Sequence, residues 1–446
     1  MPSPPTFPAD RVSLRRALGR WDLTAIGINQ VIGGAIFLMP APVAAQLGDW
    51  SVVGFVLAGM ASLLVALCFA EVSSRFESTG GPSLYARAAF GRFAGFEVGW
   101  MQWFTRVASQ ASVVNGLALA VGFFWHTFDG GAARMLLITS VILALTWINV
   151  RGIRQSSFLV NLLTIGKLLP LGIFIAIGLF QVNYSRVVPS ASLSLGQAGA
   201  GALLLMYVFG GYDVVPVAAG EAKEPRRHVP FALVTTILGV TVLMALAQTV
   251  AQGTLPDIAR SRTPIADSAF AFMGSGGALM VGVGSVLSMT GHNAGAVLSG
   301  SRMLFALAEN RDLPSWFARI HPRFRTPANC VLVTSAVALA LALSGTFEKL
   351  ATASAVARLV PYAAACGSTL MLRRSRFSAV VRPATFVIPF GPVVPFLGLL
   401  VSIAIMSGAT WQQLLGGLSS LVVGAALFAI GAVQRHRSSL STLLWK

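Results

Sequence analysis

Charge is scarce in this chain. Asp, Glu, Lys and Arg make up 11% of its 446 residues, less than half the share of about 25% in a soluble domain. Carboxylates are scarcest, 15 against 32 Lys and Arg, and none pair up as the clustered Asp that hold Mg²⁺. The three cysteines, Cys68, Cys330 and Cys366, stand far apart in or beside apolar stretches with no CxxC, and read as buried, inert thiols. There is no HExxH, no GxSxG and no Walker-type phosphate loop, and His126, His228, His321 and His436 are scattered through loops and tails. These absences point away from an enzyme, a metal centre or any other cofactor. Long polar segments are missing too. The longest lies near residues 309–327, which leaves no room for a soluble domain.

What remains is apolar: 55% of residues are hydrophobic and mean hydropathy is +0.75. A membrane span needs roughly 20 apolar residues, and the hydropathy supports about twelve. Glycine is generous, 45 residues, as where helices approach closely in lipid. The stretch 21–47 is too long for a cleavable signal peptide and lacks its small-residue cleavage pattern.

The net charge of +17 raises the question of nucleic acid, and its placement answers it. Arg11 to Arg20, Arg75, Arg87, Arg92, Arg151, Arg154, Lys223, Arg226, Arg227, Arg311 to Arg325, Arg373 to Arg382 and the C-terminal cations share one side of the expected topology. Only Arg134, Arg186, Arg260, Arg262 and Lys349 fall on the other. That is the positive-inside bias of a multi-pass protein of the cytoplasmic membrane, with both termini cytoplasmic and an even number of spans. The basicity then reports topology and contact with anionic lipid, not nucleic acid.

The expected spans are 22–47, 51–75, 94–126, 133–150, 157–181, 197–220, 230–253, 277–308, 328–346, 350–372, 386–408 and 412–433. A basic tail precedes them over 1–20, and another follows the membrane region 21–434 over 435–446. A loop with Gly80-Gly81-Pro82 and Tyr85 follows the second span, and a partly helical outer loop covers 257–274. Two spans carry a glycine pair, Val31-Ile32-Gly33-Gly34-Ala35 and Tyr207-Val208-Phe209-Gly210-Gly211. Each opens a block of five spans, 21–181 and 197–373, and an odd number of spans inverts the second block relative to the first. Paired helix breaks in inverted blocks mark the site of a secondary transporter. The alternative is that the glycines merely let helices pack closely.

If the breaks are real, the N–H groups opening the outer half of helix 1 suit a carboxylate, and the carbonyls ending the first half of helix 6, near Phe209-Gly210, suit an ammonium. A zwitterionic amino acid fits both. Ionisable residues inside spans are costly and functional by default. Lys167 lies mid-span, placed to hold unwound carbonyls of helix 1 and hydroxyls of helix 8 in place of a sodium ion, or else to snorkel. Asp213 follows the second break, as a proton carrier or as a cap for the next helical segment. Arg106 and Arg358 read as structural pairs or snorkelling cations, and His292 as a packed imidazole.

Five stretches resemble the amino acid–polyamine–organocation (APC) permeases, and together they span nearly the whole chain. They are Gly27-Ile28-Asn29-Gln30-Val31-Ile32-Gly33-Gly34-Ala35-Ile36-Phe37, Gly80-Gly81-Pro82-Ser83-Leu84-Tyr85 with Phe90-Gly91 and Gly99-Trp100, and Gly220-Glu221-Ala222-Lys223-Glu224-Pro225-Arg226-Arg227-His228-Val229-Pro230. The others are Ser301-Arg302-Met303 through Pro314 with Thr326-Pro327, and Leu372-Arg373-Arg374. The resemblance implies an all-α membrane protein of the LeuT type, with a 5+5 inverted repeat, discontinuous helices 1 and 6, and helices 11 and 12 (386–433) added. It implies an amino acid bound at the breaks, with the Val31 carbonyl toward the ammonium and Gly33, Gly34 and Ala35 offering N–H groups. Tyr207 matches an aromatic gate, Lys167 a lysine at a vacated sodium site, and Asp213 an acidic position linked to pH response. The chain departs from the pattern at Asn29, Gln30, Gly34 and Ala35: a serine hydroxyl is missing, and Gln30 brings a polar group to the site.

The sequence therefore predicts a sodium-independent amino acid transporter working by alternating access, proton-coupled or an exchanger, with neutral substrates favoured. Substrate contacts are expected at Gln30, Val31, Gly33, Gly34, Ala35, Tyr207, Phe209, Gly210 and Gly211, and coupling at Lys167 and Asp213. A carrier of cationic amino acids or polyamines, and a non-transporting sensor, are the rival readings.

Overall fold

A helix satisfies its own backbone hydrogen bonds, which is why lipid-embedded chains are built from helices. A computed structural model of the chain describes residues 16–78, 80–151, 157–377 and 381–443. Among them are α-helices and short 3₁₀ turns and no strand, apart from one isolated bridge. In chain order the helices are α1 (Arg20–Val31), α2 (Ala35–Leu38), α3 (Pro40–Leu47), α4 (Ser51–Ser73), α5 (Pro82–Phe90), α6 (Arg92–Gly122), α7 (Gly131–Arg151) and α8 (Ser157–Gly178). There follow α9 (Leu195–Val208), α10 (Pro225–Thr254), α11 (Pro264–Glu309), α12 (Ala328–Ser344), α13 (Phe347–Leu372), α14 (Val393–Met406) and α15 (Trp411–Leu443).

Nine helical segments among the described residues are long and apolar enough to cross a membrane; α12 and α14 are shorter apolar helices. The 31-residue α6 is not one of the nine. Its buried Gln102, Arg106, Ser109, Gln110, Ser112 and Asn115 dilute its hydropathy. It can carry them because it packs against α5, α11, α12, α13 and α15, which supply partners that lipid does not. On α4, α8, α10, α14 and α15 the outward side chains are apolar, among them Leu57, Leu169, Val242, Phe396 and Val422.

Both glycine pairs interrupt their helices. The first expected span is three pieces, α1 to α3, and the span expected over 197–220 is α9 followed by a 3₁₀ segment, Tyr212–Glu221. α9 begins with a capping box, the Ser194 hydroxyl accepting from Gln197 N while Gln197 Oε1 accepts from Ser194 N. The loop expected after the second span contains a helix, α5, started by Pro82 in its first turn. In the outer loop α11 is already helical from Pro264 and kinks at Gly274, whose φ is +65°.

The tail expected over 1–20 lies outside the described residues as far as residue 15, as do Arg154 and the last three residues of the chain. Residues 17 and 18 are not free. Their N–H groups donate to Glu221 O at 2.9 Å, and Lys223 N donates back to Leu18 O at 2.9 Å. At the other end, α15 continues to Leu443, past the residue at which the last span was expected to stop.

Ion pairs tie the helix ends. Glu71 on α4 takes a two-pronged bond from Arg373 Nε (2.7 Å) and Nη2 (2.5 Å), and accepts from Ile388 N at 2.9 Å. Asp312 holds Arg92 at 2.6 Å and also Arg87, joining the loop after α11 to the start of α6 and to α5. Cys68, Cys330 and Cys366 are buried and free.

Candidate functional site

At the first break Ile32 has φ −81° and ψ 75°, the geometry of an inverse γ-turn. Gly33 N accordingly donates to Val31 O at 2.9 Å. The N–H of Gly33, expected for a carboxylate, is thus engaged within the turn. Those of Gly34 and Ala35 open α2, where a helix has no internal acceptor to offer. The carbonyl of Ile32 is released from the helical ladder and turns to side chains.

Two side chains meet it. Lys167 Nζ on α8, fully buried, donates to Ile32 O at 2.6 Å, to Asn29 O at 2.9 Å and to Asn29 Oδ1 at 2.5 Å. Three acceptors require three N–H donors, which a lysine has only as the ammonium. Ser288 Oγ on α11 lies within hydrogen-bond distance of Ile32 O (3.0 Å) and Gly33 O (2.9 Å). Lys167 does not snorkel. It sits in the carbonyl cluster at the C-terminal, electronegative end of α1.

The second break touches the first. Gly211 has φ +131°, and a Cβ built on it would lie 2.6 Å from Gln30 O and 3.0 Å from Val31 N. Only a glycine fits, for its φ and for its contact alike. The ring of Tyr212 beyond it is wedged between Phe69 on α4 and Tyr362 on α13, with centroids 5.9 and 5.2 Å away. Tyr207 is buried, donates to Ser112 Oγ at 3.2 Å and meets Phe347 edge-on at 6.2 Å. The Phe209 ring packs on Phe55, so its backbone is the part that belongs to the break. Gln30 lies against Gly295 of α11, and its Oε1 has no partner among the described residues.

Asp213 makes no cap; Gly211 takes the N-cap position of the 3₁₀ segment. Instead its carboxylate is held by Arg106 Nη2 at 2.8 Å and Arg358 Nη1 at 3.2 Å, and Gln102 Nε2 lies 3.3 Å from Oδ2. Arg106 also reaches Gly211 O at 3.5 Å, and the Arg358 guanidinium lies over Gly210. His292 covers the first break: a Cβ on Gly33 would come 2.6 Å from its Nδ1, and its Nε2 is 3.2 Å from Ser109 Oγ.

Sequence reasoning read Arg106 and Arg358 as structural pairs or snorkelling cations; they pair, and what it missed is that both share Asp213. A signal existed: Arg106 and Arg358 fall inside the expected spans 94–126 and 350–372, and Asp213 is the carboxylate set deepest in any span. Among the described residues no group of three or more His, Cys, Asp or Glu could hold a metal ion.

Residues 18–433 match the family described as amino acid permease. The chain belongs to that family. It is an amino acid transporter of the APC superfamily and a multi-pass membrane protein, not an enzyme. The permease is similar to a methylthioribose transporter of Bacillus subtilis, 28% identical over 90% of each chain. It is similar to the serine/threonine exchanger SteT of the same organism, 27% identical over 96% of this chain and 98% of the relative. An arginine/ornithine antiporter of Pseudomonas aeruginosa is 26% identical, covering 92% and 88%. These relatives are named for a sugar derivative, for hydroxyl-bearing and for cationic amino acids, so membership of the family does not fix the permease's substrate.

Proposed function

We propose that the permease moves amino acids across the cytoplasmic membrane by alternating access without sodium, by exchange or with protons. The observation that carries the reading is the contact between the two breaks, Gly211 against Gln30 and Val31, with Lys167 on the freed carbonyls beside it. The substrate zwitterion lies at this junction, its carboxylate at the N–H groups of Gly34 and Ala35 and its ammonium at the Val31 carbonyl, with Gly210 and Gly211 beside it under the Tyr207 gate. Val31, Gly33 and Phe209 contribute backbone and Gln30 a polar side chain. Twelve spans result if α6, α12 and α14 join the nine segments, as two inverted five-helix blocks plus two, both termini in the cytoplasm.

Sodium independence follows from Lys167. Its ammonium takes the oxygens a sodium ion would take, so the cation is tethered. Cationic substrates are disfavoured because Asp213 already faces two guanidinium groups; substrates without a cationic side chain, neutral ones included, are favoured.

The test is uptake of a radiolabelled amino acid panel into proteoliposomes, with and without internal substrate and a proton gradient. Replacing sodium by choline should leave uptake within about twofold, a change under 0.5 kcal/mol; a steep sodium requirement refutes the assignment of Lys167. Asp213 is tested separately. If it serves by holding Arg106 and Arg358, Asp213→Asn lowers uptake by a similar factor at every pH. Loss of the pH dependence alone makes it the proton carrier.

A further inference from the structure

The charges buried at the second break do not balance. Arg106 and Arg358 are each 1% exposed and share a single carboxylate, Asp213, itself fully buried. The triad carries a formal charge of +1. Lys167 adds a further buried positive charge, since the oxygens of Asn29 and Ile32 satisfy its three N–H donors but are neutral. His292, against Gly33 at the first break, supplies no negative charge. Burying an uncompensated cation in a low-dielectric interior is costly unless a partner arrives.

The donors are in surplus as well. Two guanidinium groups bring ten N–H donors. Beyond Asp213, Arg106 reaches Gly211 O at 3.5 Å and Arg358 Nη2 reaches Ser354 Oγ at 3.4 Å. Both Nε atoms are buried with no acceptor among the described residues. Of these unused donors, Arg358 Nε lies against Gly210, at the break itself.

We propose that Arg106 and Arg358 form an anion subsite that takes the side-chain carboxylate of an acidic amino acid. The inference rests on the amino acid site proposed above and names its substrate class. A carboxylate accepts planar, paired N–H bonds, which a guanidinium offers and an ammonium does not. It also brings the one negative charge the triad lacks, whereas a neutral side chain leaves the deficit in place.

The test uses purified full-length protein in proteoliposomes and in detergent. Wild type should take up L-glutamate or L-aspartate, and either should compete with a labelled neutral amino acid better than L-leucine, L-serine or L-lysine. In Arg358→Gln the ratio of acidic to neutral uptake should fall by about tenfold or more, the loss of one charge-assisted contact, with Arg358→Lys between the two. Calorimetric titration of wild type with L-glutamate decides the matter if the variants fail to reach the membrane: binding supports the subsite. Uptake of neutral amino acids with neither transport nor binding of acidic ones overturns the inference and leaves the broader reading intact. Failure to bind or move any amino acid overturns both. A requirement for chloride, seen when gluconate replaces it, assigns the subsite to an inorganic anion and overturns the inference too.

Discussion

Lys167→Ala should reduce uptake to a few per cent of wild type or less while the protein still reaches the membrane. Removing the ammonium leaves Ile32 O, Asn29 O and Asn29 Oδ1 facing a buried void. An unsatisfied buried acceptor costs about 1–3 kcal/mol. These acceptors define the shape of the break, so even one such loss, if it falls on the transporting conformation, amounts to about tenfold or more in rate. Lys167→Met separates packing from charge, since it fills most of the volume and donates nothing; it should be nearly as impaired as alanine. Uptake per inserted molecule checks both, in sodium and in choline. Near wild-type transport by either variant would sink the idea of a tethered cation.

Gly211→Ala is the second large effect. The residue holds φ at +131°, a conformation that costs a non-glycine residue of order 1–3 kcal/mol. The added methyl would also lie 2.6 Å from Gln30 O, a backbone atom that cannot swing aside. The two breaks must then separate, and uptake should fall by about tenfold or more. Gly239→Ala, in α10 and away from both breaks, is the control. A Cβ there would meet no atom within 4 Å. It should keep uptake within about threefold, under 1 kcal/mol. Equal losses in the two variants would show that the contact between the breaks is not what matters.

The breaks could be read from sequence because lipid gives an interrupted helix no solvent to fall back on, so Gly33-Gly34 and Gly210-Gly211 stand out against apolar surroundings. Lys167 was legible for a similar reason, being a charge too deep to reach an interface. The partners of Asp213 were not. Arg358 lies 145 residues away and Gln102 lies 111, and helical periodicity does not say which faces of α6 and α13 meet. The inverse γ-turn at Ile32, which occupies the N–H of Gly33, depends on two dihedral angles and leaves no trace in residue type. Nor does composition tell a loop from α5, whose nine residues are too few to cross a bilayer.

The short pairing of Leu18 with Ala222 has a mechanical meaning. Three backbone bonds, from Ala17 and Leu18 to Glu221 and from Lys223 back to Leu18, lash the start of α1 to the end of the Tyr212–Glu221 segment. At their other ends the same two segments meet where Gly211 touches Gln30. Pinned at both extremities, they form a single strut. The two interruptions are then not independent joints: whatever tilts one inner half-helix must carry the other along as the same rigid lever.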